Sequence, residues 1–113
     1  MPALNLTPES FKSTITTADR PVLVDFWGDD CAKCAALAPV MDALADEWAE
    51  CVTVAKLWLS QDSPLVRELG LMGIPTLILF KDGRPVARSS TTLTRRAIVE
   101  AFADALAADI GGS

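Results

Sequence analysis

Residues 24–36 read Val24-Asp25-Phe26-Trp27-Gly28-Asp29-Asp30-Cys31-Ala32-Lys33-Cys34-Ala35-Ala36. An apolar run of strand length here ends in a glycine and two aspartates and hands the chain to a pair of cysteines three positions apart. Pro21 and Gly28 bracket the run Val22 to Trp27, and its unbroken apolar character suits a central strand covered on both faces. Beyond Ala32, Leu37, Val40, Met41, Leu44 and Trp48 recur at helical spacing, while Asp42, Asp46 and Glu47 fall largely outside that stripe, so a helix is expected to about Glu50. The two cysteines therefore sit in the first turn of a helix that follows a strand. Three positions apart on one helical face, their sulfurs are close enough for a disulfide.

That placement offers three chemical readings: a redox dithiol, half of a metal site, or two incidental core thiols. Zinc prefers four ligands, and the rest of the chain offers only Cys51 and no histidine, which falls short of the usual set within one chain. A strand followed by CxxC at a helix start is the context in which a redox motif is expected. Cys31, at the end of the helix with its unpaired N–H groups, is the candidate nucleophile, because the helix dipole favours a thiolate there. Cys34, one turn further in and more buried, suits the attack that resolves a mixed disulfide. Cys51 has no neighbouring cysteine in the sequence, and free cysteine is commonly buried, so it is read as a structural thiol at the start of a strand.

Outward from this segment the order of elements continues. Thr7 followed by Pro8 reads as an N-cap and first helical residue, with Leu6 and Phe11 at staple spacing, predicting a helix over about 8–18 with Phe11 and Ile15 facing inward. Val52 to Leu59 is a second apolar run, and Ser63-Pro64 opens and Gly70 closes a short helix. Thr76 to Phe80, the Asp82-Gly83 turn and Pro85 to Ser89 form an antiparallel hairpin, where Pro85 is tolerated at a strand start or an edge. Thr94 caps a last helix, stapled by Leu93 to Ile98, whose inward face carries Ile98, Phe102 and Leu106. The expected class is α/β, a mixed sheet of about five strands flanked by about four helices.

The 113 residues suit one domain over 1–113, with 50% apolar and 22% charged residues, too hydrophobic for disorder. No run of about 18 apolar residues is present. The formal charge of −5 and the lack of any basic cluster beyond Arg95-Arg96 argue against nucleic acid or an anionic membrane as partner. Met1-Pro2-Ala3-Leu4-Asn5 has neither the basic nor the apolar region of a signal peptide, so a cytoplasmic protein is expected. An odd cysteine count excludes a fully paired disulfide framework.

Together, Val24-Asp25-Phe26-Trp27 ahead of CxxC, Ala38-Pro39 in the following helix, Ala55-Lys56-Leu57, Gly73-Ile74-Pro75-Thr76-Leu77-Ile78-Leu79-Phe80 and Lys81-Asp82-Gly83 resemble the thioredoxin family over nearly the whole chain. The resemblance implies the thioredoxin fold and a protein thiol–disulfide oxidoreductase that reduces client disulfides through Cys31 and Cys34. It implies a cis Ile74–Pro75 bond, a form open essentially only to X-Pro, and a client groove framed by Trp27, Gly73, Ile74 and Pro75, where an extended segment pairs with the backbone edge of residues 73–75. It also makes Asp25 a buried carboxylate behind the dithiol that assists proton transfer from Cys34, with Lys56 as its charge partner. Burial alone is expected to raise the pKa of such a carboxyl.

No metal or bound cofactor is implied. The partners implied are disulfide-containing client proteins and a thioredoxin reductase, and a monomer is expected. Pro39 is expected to kink its helix. The family pattern is broken at three places: Asp30 replaces an exposed tryptophan beside the first cysteine, Ala32-Lys33 replaces Gly-Pro, and Thr91 replaces a glycine near the proline. Lys33 favours a Cys31 thiolate and a more oxidising protein, whereas Asp29 and Asp30 act in the opposite sense. These changes motivate two alternatives, a thioredoxin-fold adaptor that binds one partner and a more oxidising disulfide exchanger or isomerase.

Overall fold

The structure, a computed structural model, describes residues 2–90 and 94–111. Thr91 and Leu93, singled out above, lie outside the described residues. Nine elements follow one another: β1 (Leu4–Leu6), α1 (Pro8–Thr17), β2 (Val22–Trp27), α2 (Ala32–Glu47), β3 (Thr53–Trp58), α3 (Pro64–Glu68), β4 (Thr76–Lys81), β5 (Arg84–Ser89) and α4 (Arg95–Gly111). The sheet order is β1-β3-β2-β4-β5. β3 pairs parallel with β1 and β2, β4 pairs antiparallel with β2, and β5 completes the hairpin.

Local chemistry sets the boundaries. Thr7 caps α1 by accepting the Ser10 amide, with Pro8 at the first helical position, where its missing N–H costs nothing. Asp82 and Gly83 both have positive φ, 54° and 77°, the geometry of a tight hairpin whose twist matches its strands. After α3 the Leu71 amide bonds Val66 O and the Gly70 amide bonds Arg67 O. With Gly70 at φ 63° this satisfies the last carbonyls of the helix. Thr94 accepts the Ala97 amide at the start of α4, as expected. The Arg95 guanidinium forks onto Glu47 at 2.6 Å, joining the start of α4 to the end of α2. Pro39 lies inside α2 without ending it.

Two departures from the expected layout concern position. The sequence reading names four of the five strands. The fifth, Leu4–Leu6, is a three-residue edge strand, too short to show alternation. The second departure is Cys51, expected to be buried at a strand start, which is exposed. α2 stops at Glu47 rather than near Glu50, and the turn after it is closed by the Cys51 and Val52 amides bonding Trp48 O. Cys51 therefore stands on a turn outside the sheet, and burial resumes at Val52.

The sheet separates two apolar layers. On one face Leu6, Phe11, Ile15, Val22, Val24, Phe26, Leu57, Ile78 and Phe80 pack beneath α1 and α3. Three of them, Phe11, Phe26 and Phe80, meet edge to face with ring centroids 5.3 to 6.4 Å apart. On the other face Leu23, Leu37, Met41, Leu44, Val54, Leu77, Leu79, Ile98 and Phe102 pack beneath α2 and α4. Alternation along β2 directs Leu23, Asp25 and Trp27 to this second face.

Candidate active site

The site forms where β2 ends and α2 begins. Gly28 is buried and leaves no room for a side chain: a Cβ there would stand 2.9 Å from Ile74 Cδ1 and 3.3 Å from Leu59 O. The chain then turns at Asp30, whose φ of 52° is a left-handed conformation that aspartate tolerates better than most residues. The turn places Cys31 at the N-cap of α2 in extended geometry.

Cys31 and Cys34 are joined by a disulfide, with Cα atoms 5.2 Å apart. Cys31 Sγ also accepts the Cys34 amide at 3.1 Å. A sulfur in that position faces the positive end of the helix and is favoured as an anion when the bond is reduced. Cys31 is half-buried and Cys34 is buried, so the first sulfur is the more accessible of the two.

Beneath the pair lies a cavity of about 320 Å³ lined by both cysteines, Asp25, Trp27, Asp29, Asp30 and Lys56 among others. Asp25 is 1% exposed, and its Oδ1 has no hydrogen-bond partner among the described residues. Burial pushes its pKa up from 3.8 to about 7, with the Lys56 charge pulling it part of the way back. Lys56 is the direct cross-strand neighbour of Asp25. Its ammonium also stands 3.9 Å from Asp42 Oδ1, an oxygen that accepts the Ala3 amide at 2.9 Å. A carboxyl balanced near neutrality beside two sulfurs is a group that takes or returns a proton at physiological pH.

The cavity thus gathers Asp25, Trp27, Cys31 and Cys34. Gly73 and Ile74 line a separate hollow of about 280 Å³ with Met72 and Leu71. The residues of the two hollows are neighbours: Gly28 of the first faces Ile74 of the second, and Phe26 pairs with Thr76, next in sequence to Trp27 and Pro75. The Ile74–Pro75 bond is cis, as expected. Thr76 donates to Gly73 O at 2.6 Å and fixes that turn, while Pro75 is buried and Ile74 is exposed.

Sequence reasoning passed over two features of this region. In the sequence Gly28 reads only as the end of a strand, although a glycine there can also mark close approach of another chain segment. Trp58 was not singled out, yet alternation along Ala55-Lys56-Leu57-Trp58 places it on the same face as Lys56 and hence Asp25. It pairs in register with Trp27, and its indole N–H donates to Asp29 Oδ1 at 3.1 Å.

Comparison with known proteins agrees with this geometry. The family model described as Thioredoxin matches residues 2–104. The thioredoxin of Mycobacterium tuberculosis strain H37Rv is 39% identical over 101 residues, covering 89% of this chain and 87% of its own. That of Alicyclobacillus acidocaldarius is 47% identical over 83 residues, covering 74% and 78%. The Pseudomonas aeruginosa thioredoxin is 38% identical over 102 residues, covering 90% and 94%. With nearly the whole length matched and the paired cysteines at the head of α2, this chain belongs to the thioredoxin family and is a thiol–disulfide oxidoreductase.

Proposed function

We propose that the protein works as a reductase of protein disulfides, with Cys31 as nucleophile, Cys34 as resolving thiol and Asp25 as proton acceptor. The observation that carries this assignment is the Cys31–Cys34 pair at a helix N-cap above a buried, unpartnered carboxyl. In the reduced protein the Cys31 thiolate attacks one sulfur of a client disulfide. A Cys31–client disulfide forms, and the client's other sulfur leaves as a thiolate that takes up a proton. Cys34 then loses its proton to the Asp25 carboxylate and attacks Cys31 Sγ, which restores the Cys31–Cys34 disulfide and releases the second client thiol. Two electrons pass from the dithiol to the client. Both are carried by sulfur, so the reaction asks for no metal or bound cofactor.

Trp27, Gly73, Ile74 and Pro75 frame the groove in which the client chain lies extended. Family membership supports a thioredoxin reductase as the donor that returns two electrons and two protons. We take the protein to be a cytoplasmic monomer with one domain over 1–113, a reading supported by its thioredoxin relatives; among the described residues no helix is long and apolar enough to cross a membrane.

Dithiothreitol-driven reduction of insulin tests the assignment. The wild type accelerates it, and Cys31→Ser falls to the uncatalysed rate. Cys34→Ser accumulates a mixed disulfide with its client, visible on a non-reducing gel. A Cys31→Ser variant as fast as wild type removes the mechanism.

A further inference from the structure

Trp58 is a large aromatic side chain left 42% exposed at the C-terminal end of β3. Strand pairing sets its backbone against Trp27, and the bond from its indole N–H to Asp29 fixes the ring at its polar edge. Asp29 and Cys31 are two residues apart in the sequence, so their Cα atoms lie within about 7 Å of one another. The ring is thus tied to Asp29, which with Asp30 forms part of the wall of the dithiol cavity. In the sequence Asp30 stands between Asp29 and Cys31, exposed and with no hydrogen-bond or ion-pair partner among the described residues. Two lysines of this region are placed otherwise: Lys56 acts on Asp25 and stands near Asp42, and Lys33 lies on the exposed first turn of α2.

We infer that Trp58 is a specificity-determining residue, and that together with Asp30 it favours client disulfides flanked by an arginine or lysine side chain. The inference rests on Cys31 and Cys34 being the reacting pair. An aromatic face attracts a cation through its quadrupole, and tryptophan does so best. The Asp30 carboxylate, one residue from the aspartate that holds the ring, adds a charge-assisted hydrogen bond, which arginine makes with particular geometric fit. The ring pays little ordering cost on binding, because its N–H is already tied to Asp29. A formal charge of −5 draws a basic segment in the same direction.

Two synthetic peptides, each closed by one disulfide and differing only in arginine or glutamine beside a half-cystine, test this. The readout is kcat/KM for their reduction by wild type, Trp58→Ala, Trp58→Phe and Asp30→Asn. Wild type is expected to favour the arginine peptide by about fivefold at low salt, the scale of one cation–aromatic contact. Trp58→Ala and Asp30→Asn bring the ratio toward one by raising KM for the arginine peptide, and Trp58→Phe gives an intermediate ratio. Asp30→Asn changes a surface side chain at a φ that asparagine accepts, so it carries the test if Trp58→Ala does not fold. A wild-type ratio of one overturns the inference, as does a Trp58→Ala variant that slows both peptides equally. A protein that reduces a small aromatic disulfide without distinguishing the peptides loses this inference and keeps the reductase assignment. One that reduces nothing loses both.

Discussion

The two faces of the sheet are built to different standards. Beneath α1 and α3 the layer is apolar and closed by three interlocked phenyl rings. The one buried polar side chain on that face among the described residues, Thr76, is satisfied by Gly73 O. Beneath α2 and α4 the apolar layer is just as extensive, but at the dithiol end it gives way to a cavity, an unsatisfied carboxyl and a lysine. Alternation along a single strand produces the contrast: Val24 and Phe26 face the first layer, Leu23, Asp25 and Trp27 the second. The first face supplies stability that the second gives up in order to keep an ionisable group out of water next to two sulfurs.

The largest effect is expected on the dry face. Phe26→Ala removes a fully buried ring from the aromatic triangle and should cost about 3–5 kcal/mol in denaturant unfolding, because the hole is bounded by secondary structure that cannot collapse into it. The Cys31–Cys34 bond should still form and open in molecules that remain folded. A loss well under that range would mean that the triangle is not the chief support of the fold.

On the wet face the sign reverses. Asp25 has a folded pKa near 7 against 3.8 for the ordinary group, so between those values the native state holds a proton that the unfolded chain has lost. The unfolded state then binds fewer protons, and stability falls as pH rises through that window, by about 4 kcal/mol in all. Asp25→Asn removes the titration. After allowing for the amide's own unmet hydrogen bonds, about 1–3 kcal/mol, the variant should be more stable than wild type by about 2 kcal/mol at pH 8. Near pH 4 the sign should reverse, because Asp25 is then neutral in the folded protein and the variant keeps only the amide's cost of about 1–3 kcal/mol, and client reduction should slow. Urea melts at several pH values check this, and parallel pH curves for the two proteins would show that the carboxyl is not held neutral by burial.

This asymmetry was only half legible in the sequence. The strands show as apolar runs, and Asp25 stands out because nothing else polar interrupts Val22 to Trp27. A charged residue inside a run buried on both faces is a physical signal by itself. The short β1 could not be read, since three residues give no period and its place depends on pairing with β3. The burial of Cys51 was inferred from residue type, and position overruled it, because the turn after α2 closes three residues earlier than the apolar stripe suggests. The cis bond followed from the family resemblance and not from local chemistry. The Trp58–Asp29 contact needs the register of β2 against β3 and the left-handed turn at Asp30 together, and neither is encoded in a short motif.

The smallest effect tests what Lys56 does for the wet face. Its ammonium has two carboxyls within its influence, Asp25 across the strand pair and Asp42 at 3.9 Å. The Asp42 contact is long and its carboxylate is partly open to water, so it contributes little to stability. Near Asp25 the low-dielectric surroundings leave the same charge less screened. Lys56→Met should therefore move the Asp25 titration upward from about 7, followed by the carboxyl stretch in infrared difference spectra, with little change in unfolding free energy at pH 4, where Asp25 is neutral with or without the lysine. Lys56→Arg should hold the titration in place, since the charge is kept. The pH at which client reduction reaches half its plateau should climb with the carboxyl in the methionine variant, because a higher pKa leaves less carboxylate to receive the Cys34 proton at a given pH. An unmoved titration would assign the lysine to Asp42 alone and leave burial as the sole control of the acid beneath the dithiol.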